Sequence, residues 1–166
     1  MKINKSKLIN VLRSHYYANA KTFEKTRKQG KLNSLTGQKS MQVSYALQDL
    51  FLAYHLYLDN DGYIDLDYYA KTGKNYILKA NTKYEQDYIE IKPALDIYRE
   101  ILIAKNAYNH DVGRLNPNYD YRLNALRSVF DALNIKYQQI DKAVRPHTYT
   151  QTYADNGAIR YEQIDY

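Results

Sequence analysis

The chain has 166 residues, a net charge of +6 and no cysteine, and these values exclude several classes of protein. A chain of this length forms one domain, because a single core of this size buries about 70% of the surface of the unfolded chain. Without cysteine the chain has neither disulfides nor thiolate metal sites, which favours a reducing cytoplasm. No run approaches the roughly 18 apolar residues of a membrane helix, and no signal peptide follows the basic first residues. The sequence predicts a single cytoplasmic domain, residues 1–166, with no membrane partner.

The positive charge is concentrated in the first quarter of the chain. Up to Met41 there are ten basic residues and one acid, Glu24, which corresponds to a local net charge of +9. The remaining residues hold 14 bases and 17 acids, a net charge of −3. We therefore divide the domain into a basic N-terminal helix and loop, residues 1–37, and an α+β body, residues 38–166.

The first predicted helix spans about residues 6–29, with Ser6 as its N-cap and Gly30 at its end. Its apolar face is expected to point to the core. The residues of that face are Leu8, Leu12, Tyr16 and Phe23. The opposite face is basic, and a stripe of cations neutralises phosphates and binds nucleic acid in a salt-sensitive, sequence-independent way. The predicted partner-binding residues, on this face, on its flanks and in the following loop, are Lys7, Arg13, Lys21, Lys25, Arg27, Lys28 and Lys31.

This basic stripe has other interpretations. Charged runs on helices most often serve solubility alone. A cationic stripe also suits an acidic protein or an anionic membrane surface. The 20 tyrosines are equally open to two interpretations, because their rings stack on single-stranded bases at binding surfaces but also pack well in cores.

The body of the chain is predicted to mix helices and strands. A helix over residues 38–58 is apolar nearly all round and is therefore expected to be the central core helix. Three segments with strand character follow and are expected to form a small central antiparallel sheet: residues 63–68, 75–79 and 87–91. Two helices that begin at a proline come next, from Pro93 to Tyr108 and from Pro117 to Asn134.

The end of the chain is predicted to be a β-hairpin. A further candidate strand, residues 135–138, precedes it. Residues 148–153 and 159–164 alternate around Asp155-Asn156-Gly157, which is a strong turn signal. Helices and strands without regular βαβ alternation favour the α+β class.

Two features of the sequence are candidates for a metal site: residues 59–65 and the four histidines. Residues 59–65 resemble the middle of an EF-hand loop, but Tyr57 and Tyr68 stand where the loop needs an acid and a glutamate. The four histidines are far apart, without the spacing of a metal site. We therefore predict no metal, no cofactor and no catalytic residue, and no motif requires an enzyme.

One short motif suggests a different class of function. Glu90-Ile91-Lys92 resembles the E-x-K half of a PD-(D/E)XK nuclease site, and the element order over about residues 40–110 resembles the core of that family. The resemblance implies a small nuclease in which carboxylates hold Mg²⁺ and a lysine orients the attacking water. Asn75, however, stands where that family has an aspartate. The other interpretation is an exposed alternation of Glu and Lys on a strand.

The sequence leads to one principal hypothesis and two alternatives. The principal hypothesis is a non-enzymatic binding protein of the accessory or inhibitor type that phages and plasmids encode, including inhibitors of the anti-CRISPR kind. It acts on nucleic acid, or on an acidic or nucleoprotein partner, through the basic helix. The alternatives are the magnesium-dependent nuclease and a structural or oligomerising protein, in which an open hairpin edge pairs two copies into a homodimer.

Overall fold

The computed structural model describes the backbone of residues 1–54, 56–58, 78–80, 88–144, 149–153 and 159–163. Side chains are described in residues 1–54 and 88–144. This part of the chain is mostly helical. Its five helices are α1 Lys5–Lys28, α2 Leu35–Ala53, α3 Lys92–Val112, α4 Pro117–Ala132 and α5 Gln138–Ala143. Its strands are β1 Lys2–Asn4, β2 Leu56–Leu58, β3 Leu78–Ala80, β4 Tyr88–Glu90, β5 Tyr149–Tyr153 and β6 Ile159–Gln163.

The predicted α+β class is wrong, because the described strands occur only as separate antiparallel pairs. The predicted third strand, now β4, pairs with β1 at the start of the chain, so that Ile3 lies opposite Ile89. The second predicted strand overlaps β3, which pairs with β2. The first, residues 63–68, lies outside the described residues. Alternation of apolar and polar residues along a strand indicates its two faces but not its partner strand. Tertiary packing determines the partner strands here.

Only the two strands of the predicted C-terminal hairpin belong to the described residues. The backbone of β5 pairs antiparallel with β6, from Tyr149 opposite Gln163 to Tyr153 opposite Ile159. The predicted turn at residues 155–157 lies outside the described residues, and the hairpin as a unit stays a prediction. The candidate strand at residues 135–138 is wrong, because α5 already begins at Gln138.

Helix α1 begins two residues earlier than its predicted cap indicated. The side chain of Asn4, rather than Ser6, accepts a hydrogen bond from the backbone N–H of Lys7 at 3.1 Å. The helix ends at Lys28 with Gln29 as its C-cap, and Gly30 follows with a φ of +66°, a conformation that glycine adopts without strain. Apart from Thr26, the buried residues recur every four positions and form the inner side of the helix: Leu8, Leu12, Tyr16, Ala20 and Glu24. Phe23, which we predicted to face the core, is only half-buried.

Helix α2 is the central helix, as predicted, but its boundaries differ. It begins after Ser34, whose hydroxyl accepts a hydrogen bond from the N–H of Gly37 at 3.2 Å. It ends at Ala53, and residues 56–58 form β2 instead of a last helical turn. Leu47 and Leu50 are fully buried, and α2 packs against both α1 and α4.

Helices α3 and α4 form an antiparallel pair, and each has a proline in its first turn, Pro93 one residue after the start of α3 and Pro117 at the start of α4. The pair is joined by an ion pair between Lys105 and Asp120 at 2.5 Å and by the rings of Tyr108 and Tyr119, whose centroids are 5.7 Å apart. Helix α3 continues beyond its predicted end to Val112 and stops at Gly113.

A polar network attaches α5 to the α3–α4 pair. The buried hydroxyl of Tyr98 donates a hydrogen bond to the carboxylate of Asp141 and accepts one from Nε of Arg127 at 2.9 Å. The Arg127 guanidinium also lies over the rings of Tyr98 and Tyr137, at 5.6 and 5.9 Å from their centroids. Burial and the hydrogen bond to Asp141 raise the pKa of Tyr98 above its usual value. The network thus holds a neutral tyrosine between two charged groups.

We expect Tyr98→Phe to lower the free energy of unfolding by about 2 kcal/mol, because the hydroxyl makes hydrogen bonds to two charged groups. A urea titration followed by circular dichroism measures this loss. Tyr108→Phe is the matched control on the same helix, since the hydroxyl of Tyr108 makes no hydrogen bond within the described residues. The control is expected to change the stability by less than about 0.5 kcal/mol. Equal stability of both variants would contradict the structural role of the network.

Candidate nucleic-acid interface

The outward side of α1 is a continuous row of exposed residues. Seven exposed positions, spaced three or four residues apart, run along this side, which we call the outer row: Lys7, Asn10, Ser14, Ala18, Lys21, Lys25 and Lys28. Residues at this spacing lie on one face of a helix. The opposite side of α1 packs on α2, where the side-chain amide of Asn19 donates to the carbonyl of Ser40 and to the hydroxyl of Ser44, both at 2.9 Å. The outer row therefore points away from the bundle.

Four lysines are concentrated near the C-terminal end of α1. Lys21, Lys25 and Lys28 belong to the outer row, and Lys31 is exposed in the turn that follows; we call these four residues the lysine cluster. The three helical members span about 10 Å along the axis. None of the four makes an ion pair with any described residue. Among the described side chains, none neutralises these four charges.

Lys7 lies apart from the cluster but on the same face. It is exposed in the first turn of α1, about 21 Å along the helix axis from Lys21. No ion pair joins it to the described residues. The outer row thus has a positive charge near each end and neutral side chains between them.

Arg27 was predicted to bind the partner, but its charge is already paired within the protein. Its Nη2 lies 2.5 Å from Oε1 of Glu24, and its Nε lies 3.1 and 3.2 Å from the two oxygens of that carboxylate. Glu24 is 4% exposed, and a buried carboxylate requires such a partner. The spacing of three residues between these opposite charges is visible in the sequence and is the signal that could have identified the pair. Arg27 is therefore structural, and Glu24, the one acid of the basic region, pairs with Arg27 and not with the lysine cluster.

Arg13 also lies off the outer row. It is half-buried beside Tyr17, where burial raises the pKa of the tyrosine and the positive charge of Arg13 partly opposes that rise. The remaining predicted residues, Lys7 and the lysine cluster, are exposed, so the structure brings four of the seven together and places Lys7 on the same face.

The outer row of α1 contains no aromatic residue. Tyr16 is 1% exposed and packs edge-on against Tyr17 and Phe51, with centroids at 5.9 and 5.5 Å. On α2 the partly exposed ring of Tyr45 is covered by the Arg122 guanidinium, 5.6 Å from its centroid. The outer row of α1 therefore presents cations and short side chains rather than rings.

The helix dipole offers a structural explanation for part of the lysine cluster. Cations near the C-terminal end of a helix interact favourably with the helix dipole, by about 0.3–1 kcal/mol each. Lys25 and Lys28 belong to the last turn of α1 and gain this stabilisation. Lys21 lies a turn earlier and Lys31 lies outside the helix, so the dipole does not account for them. The cluster therefore contains two lysines, Lys21 and Lys31, whose position the helix dipole does not explain.

The E-x-K motif has a different geometry from the one that the nuclease resemblance implies. Glu90 ends β4 and lies 3.7 Å from the N-terminal ammonium and 3.9 Å from Nζ of Lys2. Lys92 begins α3, not a strand, and pairs with Asp96 at 2.6 Å. Within residues 1–54 and 88–144, no three carboxylate or histidine side chains gather in a way that could hold a metal ion. The described geometry does not favour the nuclease alternative.

The fold and the site together define a helical protein with a cationic surface on an outer helix. Comparison of the chain with protein-family models, with curated proteins and with solved structures found no match. Among the helices described above, none has the length and apolar character needed to cross a membrane. The assignment of a function therefore depends on the chemistry of the outer row and the lysine cluster.

Proposed function

We propose that this protein is a non-enzymatic binding protein that attaches to nucleic acid, free or within a nucleoprotein enzyme, through the lysine cluster. The supporting observation is that four exposed lysines lie within two helical turns and the adjoining turn, with no ion pair to any described residue. An accessory or inhibitory role in the cytoplasm belongs to the same proposal and is supported by the size and the uneven charge of the chain.

The physical basis of this binding is the release of counterions. A nucleic acid carries condensed cations along its phosphates, and each phosphate that a lysine neutralises releases part of that atmosphere. The logarithm of the binding constant then falls with the logarithm of the salt concentration by about 0.9 per neutralised phosphate on a duplex and about 0.7 on a single strand. Four lysines that each meet a phosphate therefore give a slope of about −3.6 or −2.8.

We expect the affinity for a 20-base-pair duplex to fall by about 150-fold between 50 and 200 mM salt, which follows from a slope of about −3.6. Fluorescence anisotropy with a labelled oligonucleotide measures the binding constant across this range. The other class of partner is an acidic protein that binds the same lysines. The salt dependence of its binding constant would not be set by a number of neutralised phosphates. A change smaller than about threefold would contradict the proposed function.

A further inference from the structure

The shape of the outer row suggests which form of nucleic acid the protein binds. The row is about 31 Å long from Lys7 to Lys28, because each residue of a helix advances about 1.5 Å. Its middle consists of Asn10, Ser14 and Ala18, whose side chains are short and exposed. The helix backbone can therefore come close to a concave surface along its middle while the longer lysines extend on both sides.

The charges of the outer row match a groove with phosphates on both walls. Lys7 lies near one end, and Lys21, Lys25 and Lys28 lie near the other. No acidic residue belongs to the row, and Glu24 lies on the buried side of the helix. A helix inclined across such a groove would place Lys7 against one strand and the three other lysines against the second strand.

We infer that the partner is duplex DNA and that α1 lies in its major groove with the outer row against the DNA. The major groove of B-DNA is about 12 Å wide and accepts an α-helix, which is about 10–12 Å across with its side chains. The side of α1 that packs on α2 is opposite the outer row, as the hydrogen bonds of Asn19 to Ser40 and Ser44 show, so α2 does not stand between the row and the DNA. This inference rests on the proposed function and specifies its ligand.

Two other nucleic acids fit the outer row less well. Duplex RNA has a deep and narrow major groove that side chains do not reach. Single strands are held mainly by stacking of bases on aromatic rings, and the rings of Tyr16 and Tyr17 are directed into the bundle, where they contact each other. The charges alone would attract all three polyanions, whereas the shape of the row selects duplex DNA.

The experiment compares duplex DNA, duplex RNA and single-stranded DNA of the same 20-position sequence at 100 mM salt. We expect duplex DNA to bind at least tenfold more tightly than either of the others. In the complex, dimethyl sulfate should methylate the guanine N7 atoms, which face the major groove, more slowly than in free DNA, while adenine N3 atoms in the minor groove keep their reactivity. The double substitution Ser14→Glu and Ala18→Glu should weaken duplex DNA binding at least tenfold, and Ser14→Gln with Ala18→Gln is the neutral control.

Each outcome of this experiment decides between the inference and the proposed function. Equal or tighter binding of duplex RNA or single strands, or guanine N7 atoms that react as fast in the complex as in free DNA, would overturn the major-groove inference. The proposed function would survive that result if reversal of the lysine charges still abolished binding. Absence of binding to all three nucleic acids would overturn both.

Discussion

Reversal of three charges, by Lys21→Glu, Lys25→Glu and Lys28→Glu in one variant, is expected to abolish binding of nucleic acid while the protein remains folded. Loss of three phosphate contacts reduces the salt slope by about 2.7, and the new carboxylates repel the phosphates, so we expect at least a 100-fold loss of affinity at 100 mM salt. The fold should persist because the three lysines are exposed and make no ion pair with the described residues. Glutamate and lysine also have similar helix propensities. The reversal near the helix end costs about 1–2 kcal/mol through the helix dipole.

The matched control carries the same change of net charge at other places. Lys92→Glu, Arg99→Glu and Lys136→Glu, combined in one variant, alter three exposed bases that lie on α3 or after α4. Both variants change the net charge of the chain from +6 to 0, so a difference between them reports the position of the charges and not their sum. We expect the control to bind within about fivefold of the original protein. Equal losses in both variants would show that net charge alone attracts the nucleic acid, and an unaffected cluster variant would remove the lysine cluster from the site.

The second large effect is expected at Gly37, in the first turn of α2. A β-carbon at this position would overlap the carbonyl oxygen of Leu32 and lie 2.7 Å from its carbonyl carbon. These atoms belong to backbone and are held in place, since the same carbonyl accepts a hydrogen bond from the side chain of Gln38 at 3.2 Å. Replacement of glycine by alanine within a helix ordinarily stabilises a protein by up to about 1 kcal/mol. Here the sign is reversed, and we expect Gly37→Ala to destabilise the fold by about 3 kcal/mol, in the range of overpacked cores.

Thermal denaturation of two variants tests this prediction. A loss of about 3 kcal/mol in a protein of this size lowers the Tm by about 6–12 °C. Gly30→Ala is the control in the same α1–α2 turn: its φ of +66° strains an alanine by about 1–2 kcal/mol, but no atom lies within 4 Å of the added carbon. Gly30→Ala is therefore expected to cause the smaller loss. An unchanged or higher Tm for Gly37→Ala would show that the turn at Leu32 moves freely and does not fix the position of Lys31.

The four long helices could be predicted from the sequence because their signals are local, whereas the short helix α5 was not predicted. The apolar residues of α1 recur with the helical period, and proline and glycine mark the start and end of α3. The exposure of Lys21, Lys25 and Lys28 followed from the same period, since residues opposite an apolar face point to solvent. The caps were less predictable, because Asn4 and Ser6 are both suitable N-caps and the hydrogen bond to Lys7 decides between them.

The class of the fold depended on contacts between residues that are distant in the sequence. Whether Arg13 and Arg27 belong to the exposed stripe depended on burial. Short alternating segments predicted a central sheet, but β4 found its partner at residues 2–4, more than 80 positions away. Arg27 had the same charge and nearly the same position as its neighbours in the predicted stripe. Only the burial of Glu24 made its pairing with Arg27 necessary, and burial is a property of the packed bundle.

The sequence by itself determined where the positive charge lies and which side of α1 carries it, because charge and helical period are properties of neighbouring residues. Only the tertiary structure decided which of these charges are paired, which face of α1 is left uncovered, and which strands are neighbours. Those properties arise when helices from distant parts of the chain pack together, since the free energy of burial depends on what each side chain meets and not on its place in the sequence.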